Sequence, residues 1–196
     1  MKLETERLIL REWRRSDLDD LVEGLGNFAV AEWLAFVPHP YTRSHANAWF
    51  DYCAIGAKKR PRRSYDFAIV LKSEAKVIGG VSLDCIDRLH GTAGGGIWIN
   101  AKYHHQGYGT EAFTARLVFA FERLQLRRIE NGFLRGNVGS RRMLEKLGYK
   151  MEGVKRKRFL CLADRKLKDE CLMALLKEDW RGRRIGPLKK NPGGPS

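Results

Sequence analysis

The chain has 196 residues, with 37 Lys+Arg against 23 Asp+Glu and a net charge of +14. That is one domain's length, and 43% hydrophobic with 10% aromatic content excludes wholesale disorder. No window approaches the about 18 consecutive apolar residues of a membrane-spanning helix. The segment Met1–Glu6 carries acids and no apolar run, so no secretory leader is expected and a cytoplasmic location is.

In chain order, Leu8–Trp13 reads as a first strand. Ser16 offers a helix cap with Asp19 three residues on, and Leu18, Leu21, Val22 and Leu25 predict a helix that Gly24 and Gly26 end. A second helix follows Thr42, with Ala46, Trp49, Phe50 and Cys53 on one face. Tyr65–Leu71 and Lys76–Ile86 read as strands joined by a turn at Lys72–Glu74, and Gly94–Ile99 as a glycine-led strand. The loop 100–106 leads to Gly107-Tyr108-Gly109 and a helix bearing Phe113, Leu117, Ala120, Phe121 and Leu124. Arg128–Leu134 returns as a strand, Val138–Leu147 as a short helix closed by Gly148. Lys150–Phe159 and Glu170–Leu176 are expected to pair around the polar loop at Asp164–Lys166. This alternation predicts a mixed α/β sheet with helices on both faces. Residues 1–180 read as one domain and 181–196 as a basic tail, expected to be flexible.

Four cysteines (Cys53, Cys85, Cys161 and Cys171) are widely spaced and lie in apolar stretches, so buried reduced thiols are expected, with no disulfide and no metal site. Positive charge gathers at Lys58–Arg63, Lys155–Arg158 and Arg181–Lys190. Such clusters read either as a solvated face or as attraction to an anionic partner, whether a phosphorylated cofactor, a nucleic acid or an acidic protein surface.

The junction at Gly107-Tyr108-Gly109-Thr110 is the most informative point. Glycines at a helix start let the backbone approach a ligand, and the unpaired amides there carry partial positive charge, a combination suited to a pyrophosphate. Around it stand, in order, Gly96-Ile97-Trp98-Ile99-Asn100, Tyr103–Ala112, Arg128-Ile129-Glu130, Asn137 with Ser140, and Leu144–Tyr149. This series resembles the GNAT superfamily of acetyl-CoA-dependent N-acetyltransferases. Leu3–Arg11 and Glu152-Gly153-Val154 are similar to its RimJ/RimL branch, the ribosomal-protein N-terminal acetyltransferases.

The resemblance implies a mostly antiparallel seven-stranded sheet with a central splayed parallel pair. It places the phosphate loop on His104–Gly109, with backbone amides from Gln106, Gly107, Tyr108, Gly109 and Thr110 on the CoA pyrophosphate. The pantetheine arm would lie along Ile97, Trp98 and Ile99, with Asn137 in contact. Ser140 matches a residue proposed in that branch as the general acid for the departing thiolate; a helix-cap or first-turn role is the plain alternative. The partners implied are acetyl-CoA and an amine acceptor such as a protein N-terminus, with the ribosome as a further candidate partner and a monomer or homodimer as the working form. Two features depart from the family. His104 and His105 stand where Gln or Arg and then Gly are usual, and Gly94 stands where many relatives carry a glutamate, a candidate general base. Asp84, Asp169 and Glu170 read either as replacements for it from neighbouring elements or, more simply, as exposed strand and turn residues. Cys85 lacks a paired histidine and is not expected to carry an acyl group.

Losing a protonated amine's proton is easier for an α-amine, with a pKa of about 7.7–8.0, than for lysine at about 10.4. The missing glutamate therefore favours an α-amino acceptor. The alternatives are acetylation of a small amine such as a polyamine or aminoglycoside, and an inactive basic relative that binds RNA or the ribosome.

Overall fold

A computed structural model describes residues 1–180. The basic tail expected at 181–196 lies outside the described residues. Strands β1 (Lys2–Glu4), β2 (Leu8–Glu12), β3 (Tyr65–Leu71) and β4 (Lys76–Asp87) form an antiparallel meander. β4 then pairs with two short segments in succession, β6 (Ile97–Ile99) and β5 (Thr92–Gly94). β5 runs parallel to β7 (Arg128–Leu134), and β7 continues antiparallel into β9 (Leu167–Leu176) and the edge strand β8 (Lys150–Leu160). The sheet thus has nine strands where seven were expected. The two extra ones are the short N-terminal β1 and β5, which Gly95-Gly96 separate from β6 and which lies almost wholly before the predicted strand Gly94–Ile99.

The helices divide between the faces because β3 alternates between two cores. Its Tyr65, Phe67, Ile69 and Leu71 turn toward α4 (Tyr108–Val118), where they meet Leu8, Leu10, Ile78, Phe113 and Phe119. Its Ala68 and Val70 turn the other way, with Val77 and Trp13. On that side α1 (Leu18–Gly26) and α3 (Arg43–Lys58) bury Leu21, Leu25, Ala46 and Phe50 against Trp13 and Trp98. β3 is buried along its whole length, so its near-continuous apolar run is what a central strand demands. α4 is likewise buried from Ala112 to Val118 and continues as a π-turn over Phe119–Arg123. Each phenylalanine so buried is worth roughly 1.5–3 kcal/mol. No helix among the described residues is long and apolar enough to cross a membrane.

Several local expectations change. Ser16 does not cap α1; a 3-10 turn over Arg15–Asp17 precedes the helix, and the buried Asp17 takes the polar contacts instead. It accepts from Arg11 Nη1 and Nη2 at 2.7 and 2.8 Å and from the Arg14 amide at 2.9 Å. Gly24 lies inside α1 rather than at its end, because the Trp98 ring would sit 2.5 Å from a Cβ there. A short α2 (Phe28–Ala31), capped by Asn27, has no apolar repeat long enough to announce it. Of the cysteines, Cys161 and Cys171 are buried, Cys53 is half-buried and Cys85 is exposed. Cys85 has φ +51° where the β4–β5 register shifts between Asp84 and Asp87, and the chain turns it outward.

Candidate active site

The site begins where two parallel strands part. β5 and β7 pair at Thr92↔Arg128 and Ala93↔Ile129, and beyond Gly94 the chain leaves β7 and pairs only with β4. Gly95 makes the departure with φ +138°, and a Cβ there would lie 2.2 Å from the Ser82 carbonyl oxygen. Only glycine fits. Its own carbonyl accepts a hydrogen bond from Asn131 Nδ2 on β7, which bridges the widening gap.

Beneath this fork lies Arg116, fully buried on α4. Its guanidinium donates to the Ser82 carbonyl (2.9 Å), to Asn131 Oδ1 (2.7 Å) and to the Tyr149 hydroxyl (3.3 Å), and it sits 3.9 Å from the Phe113 ring centroid. Tyr149 in turn donates to Asn131 Oδ1 at 3.0 Å. Burial pushes Arg116 below the ordinary arginine range and Tyr149 up to about 12. The charge is held by oxygens and a ring face rather than by a carboxylate, and Nε has no partner. The sequence reading passed over Arg116 and Asn131. A signal was present: Arg116 is the one charged residue in Ala112–Phe121.

The second wall is the entry to α4. Gly107 is its N-cap in the left-handed region at φ +83°, so the loop needs glycine there. The amides of Tyr108, Gly109 and Thr110 open the helix, where the backbone's positive end gathers. Glu111 does not neutralise that end. Its carboxylate turns toward the β1–β2 turn and accepts from Thr5 Oγ1 (2.6 Å), the Arg7 amide (2.9 Å) and Arg7 Nε (2.7 Å). Burial works to raise its pKa, but these donors hold it below the usual carboxylate range. Arg7 also donates to the Gln106 carbonyl at 3.0 Å and stacks on Tyr108 at 4.4 Å, so the loop is clamped from outside. Before the loop, Glu23 joins Lys76, Lys102 and Asn100, and its lysine contacts draw its pKa down to about 2.

The third wall is the start of α5 (Val138–Lys146). Asn137 caps it, its Oδ1 accepting from the Ser140 amide at 3.0 Å. Ser140 is in the first turn, and its hydroxyl makes no hydrogen bond to the described residues. The three walls enclose a cleft of about 790 Å³. Ile97, Trp98, Ile99, Gly107, Tyr108, Gly109, Thr110, Asn137 and Ser140 all line it. Gln106 does not; its side chain folds back to the Lys102 carbonyl at 3.3 Å, leaving only its backbone in the loop. His104 and His105 line the cleft as well, and His104 Nε2 lies 2.8 Å from the Ile99 carbonyl, so it braces the loop rather than facing solvent alone.

Of the three candidate carboxylates, Asp169 is committed to a turn. It accepts from the Lys157 amide (2.8 Å) and Arg135 (3.2 Å), which hold its pKa down. Glu170 lies over Gly132 of β7, where its Oε1 would be 2.1 Å from a Cβ. Asp84 stands directly across the ladder from Gly94. Asp66, on β3, was not foreseen; it is buried, and burial together with the Asp84 charge raises its pKa to about 6. The basic residues Lys155–Arg158 fall on the exposed edge strand β8, while Arg62 pairs with Glu12 at 2.9 Å and stacks on Tyr65.

Residues 7–150 match the family described as acetyltransferase (GNAT) domain. A Bacillus subtilis protein named "Probable N-acetyltransferase YjcK" is 40% identical over 94 residues, 47% of this chain and 52% of that protein. The "Uncharacterized N-acetyltransferase YnaD" of the same organism is 26% identical over 182 residues, 92% of this chain and 99% of its own. Among solved structures, a GNAT-family acetyltransferase from Bacillus anthracis superposes with TM-score 0.76 at 25% identity, covering 91% of this chain and 99% of that one. Two others share the fold: a ribosomal-protein-S5-alanine acetyltransferase from Vibrio fischeri (TM-score 0.74, 23% identity, 92% and 99% coverage) and a spermidine N-acetyltransferase from Vibrio cholerae (TM-score 0.73, 20%, 88% and 97%).

Proposed function

The chain belongs to the GNAT acetyltransferase family, an N-acetyltransferase with acetyl-CoA as donor, and on that premise we propose that its acceptor is the α-amino group of a protein or peptide, as in the RimJ/RimL-like branch. The observation that carries the reading is the convergence of three walls on one cleft: the parted strand Ile97–Ile99, the open amides after Gly107, and Ser140. The pyrophosphate of acetyl-CoA would take the amides of Tyr108, Gly109 and Thr110, with that of Gln106 beside them. The pantetheine arm would follow the unpaired edge of β6, near Asn137.

Transfer is direct, within a ternary complex. The neutral amine attacks the thioester carbonyl, the C–S bond breaks, and the Ser140 hydroxyl gives its proton to the thiolate while regaining one from the N–H of the collapsing adduct. Orientation of the two reactants and polarisation of the carbonyl by a backbone amide in the parted strand provide most of the acceleration. Catalysis through a covalent acyl-cysteine is disfavoured, since burial and the neighbouring Asp84 raise the Cys85 thiol's pKa.

An α-amine is favoured over a polyamine on charge. The chain carries +14, which suits an acidic or neutral protein surface better than a polycation. The same charge, with Lys155–Arg158 displayed on β8, supports encounter with the ribosome. The first test is calorimetric titration of acetyl-CoA into the protein and into Gly107→Glu, whose side chain would fill the anion cradle. Micromolar binding lost in the variant is expected; no binding to wild type would overturn the reading. Acetylation of free N-terminal peptides, faster than that of spermidine or of lysine in N-blocked peptides, would then support the acceptor class.

A further inference from the structure

Gly94 stands where the GNAT resemblance implies a glutamate, and a carboxylate from the neighbouring strand lies beside it. Asp84 and Gly94 are direct partners across the β4–β5 ladder. A Cβ built on Gly94 would lie 3.3 Å from Asp84 Oδ1, so the aspartate's oxygen occupies the flank that a side chain from 94 would use. The two features are mutually dependent. A bulkier residue at 94 would press on Asp84, and glycine leaves it room.

Asp84 is also wired to the point where the strands part. Its Oδ2 accepts from Ser82 Oγ at 3.1 Å, and Ser82 Oγ accepts from the Gly96 amide at 3.0 Å. Gly96 lines the cleft, next to the strand expected to hold the pantetheine arm. The chain Gly96–Ser82–Asp84 therefore fixes one carboxylate oxygen and leaves Oδ1 on the side of Gly94. Asp84 is half-buried rather than sealed. The buried Arg116 guanidinium, bound to the Ser82 carbonyl of the same strand, is near enough to feel the Asp84 charge.

Resting on the acetyl-transfer reading above, we propose that Asp84 is the general base of this enzyme, supplied from β4 in place of the missing side chain at 94, and that Ser82 positions it. Asp84 Oδ1 takes one proton from the acceptor's ammonium as the N–H bond breaks. The freed nitrogen pair forms the bond to the thioester carbon, and as the C–S bond breaks the adduct's second N–H proton passes by way of the Ser140 hydroxyl to the sulfur. The thiolate receives a proton and leaves as CoA thiol, and Asp84 returns its own proton to water. One acetyl group moves and one proton is released overall.

The surroundings suit this role. Asp66 on β3 lies close enough for each charge to be felt by the other. Tyr52 and Cys53 approach from α3, Arg62 from the segment before β3, and Cys85 follows on β4 itself. A second buried carboxylate behind the first favours proton uptake by the pair. The cations around the pair are Arg62, which is paired with Glu12, Arg63 beside Cys85, and the buried Arg116, on which the Asp84 charge also acts.

The deciding experiment compares wild type, Asp84→Asn and Asp84→Ala/Gly94→Glu, in which the smaller residue at 84 leaves room for the new side chain, with acetyl-CoA and free N-terminal peptides, from pH 5.5 to 9.5 (about two units either side of an α-amine's pKa). Asp84→Asn is expected to lower kcat about 100-fold or more at neutral pH, with acetyl-CoA affinity by calorimetry unchanged. Its rate should then climb with pH until the amine is deprotonated by solvent, without the wild-type plateau. Returning the carboxylate from position 94 in the double variant is expected to recover at least about ten-fold of kcat. Unchanged kcat in Asp84→Asn, or a loss that keeps the wild-type pH profile, would overturn the base assignment and leave the transferase reading standing. Loss of acetyl-CoA binding in Asp84→Asn would show a structural role and overturn it too. Wild type that binds acetyl-CoA but acetylates no amine would bring down both.

Discussion

The two ends of the site are built on opposite principles. At the donor end the ligand-facing groups are backbone amides, and every carboxylate nearby is paired off. Glu111 is held by Thr5 and Arg7, Glu23 by Lys76 and Lys102, and both stay below the usual carboxylate range. At the proposed acceptor end Asp66 lies within reach of the Asp84 charge, which together with burial pushes Asp66 up to about 6. The difference follows from the chemistry each end meets. A pyrophosphate needs a fixed positive field and no free carboxylate, whereas an ammonium needs a carboxylate that can accept a proton.

The comparison can be broken most forcefully at the fork itself. Arg116→Met removes the donor from the Ser82 carbonyl and from Asn131 Oδ1 while keeping much of the side-chain volume. A loss of about 2–4 kcal/mol is expected in chemical denaturation. Acetyl-CoA affinity should fall with it, because the same network holds Gly95. Full stability with intact binding would show that the parted strands hold without it.

Ser140→Ala tests whether the donor end contains a catalytic side chain or only a backbone cradle. Here kcat should fall about 100-fold with acetyl-CoA affinity unchanged; an unchanged kcat leaves the serine as a first-turn residue of α5. Smaller still is the effect of Asn137→Ala. The lost cap is expected to cost about 1 kcal/mol in unfolding experiments, and any larger effect on acetyl-CoA affinity would mark Asn137 as a direct ligand.

The finest test uses pH. Glu23 has a folded pKa of about 2 against an ordinary 4.5, so its contribution is present above pH 4.5 and is lost as pH falls toward 2. Asp66 has the opposite sign. With a folded pKa of about 6 against 3.8, it destabilises fully above pH 6, and the penalty fades as pH falls toward 3.8. Unfolding free energies measured against wild type should therefore diverge in different windows. Glu23→Gln removes a loss below pH 4.5, and Asp66→Asn removes a gain between pH 6 and 3.8. Parallel curves for the two variants would erase the contrast between the ends.

Much of the donor end was legible in the chain because its signals are local. Gly107 marks a left-handed helix entry, the run Ile97–Ile99 marks a strand, and Asn137 marks a helix start, each within a few residues of sequence. Local capping was less secure: Ser16 looked like the cap, but a 3-10 turn precedes α1 and the carboxylate of Asp17 is taken up by Arg11 of β2 and the Arg14 amide. The fork was legible only as glycines. Nothing in Gly94-Gly95-Gly96 says that an arginine 20 residues on will lie beneath them, for Arg116 meets Ser82 and Asn131 through the packing of α4 on the sheet.

By itself the sequence determined the family, the order of the longer helices and strands, and the amide-rich turn before α4, since these depend on periodicity, turn chemistry and short spacings. The tertiary structure decided where the β5–β6 strand breaks, which buried groups carry charge, and which carboxylate stands beside Gly94. Those depend on register across strands, and a ladder partner such as Asp84↔Gly94 is fixed by the pairing of distant segments and not by either segment alone.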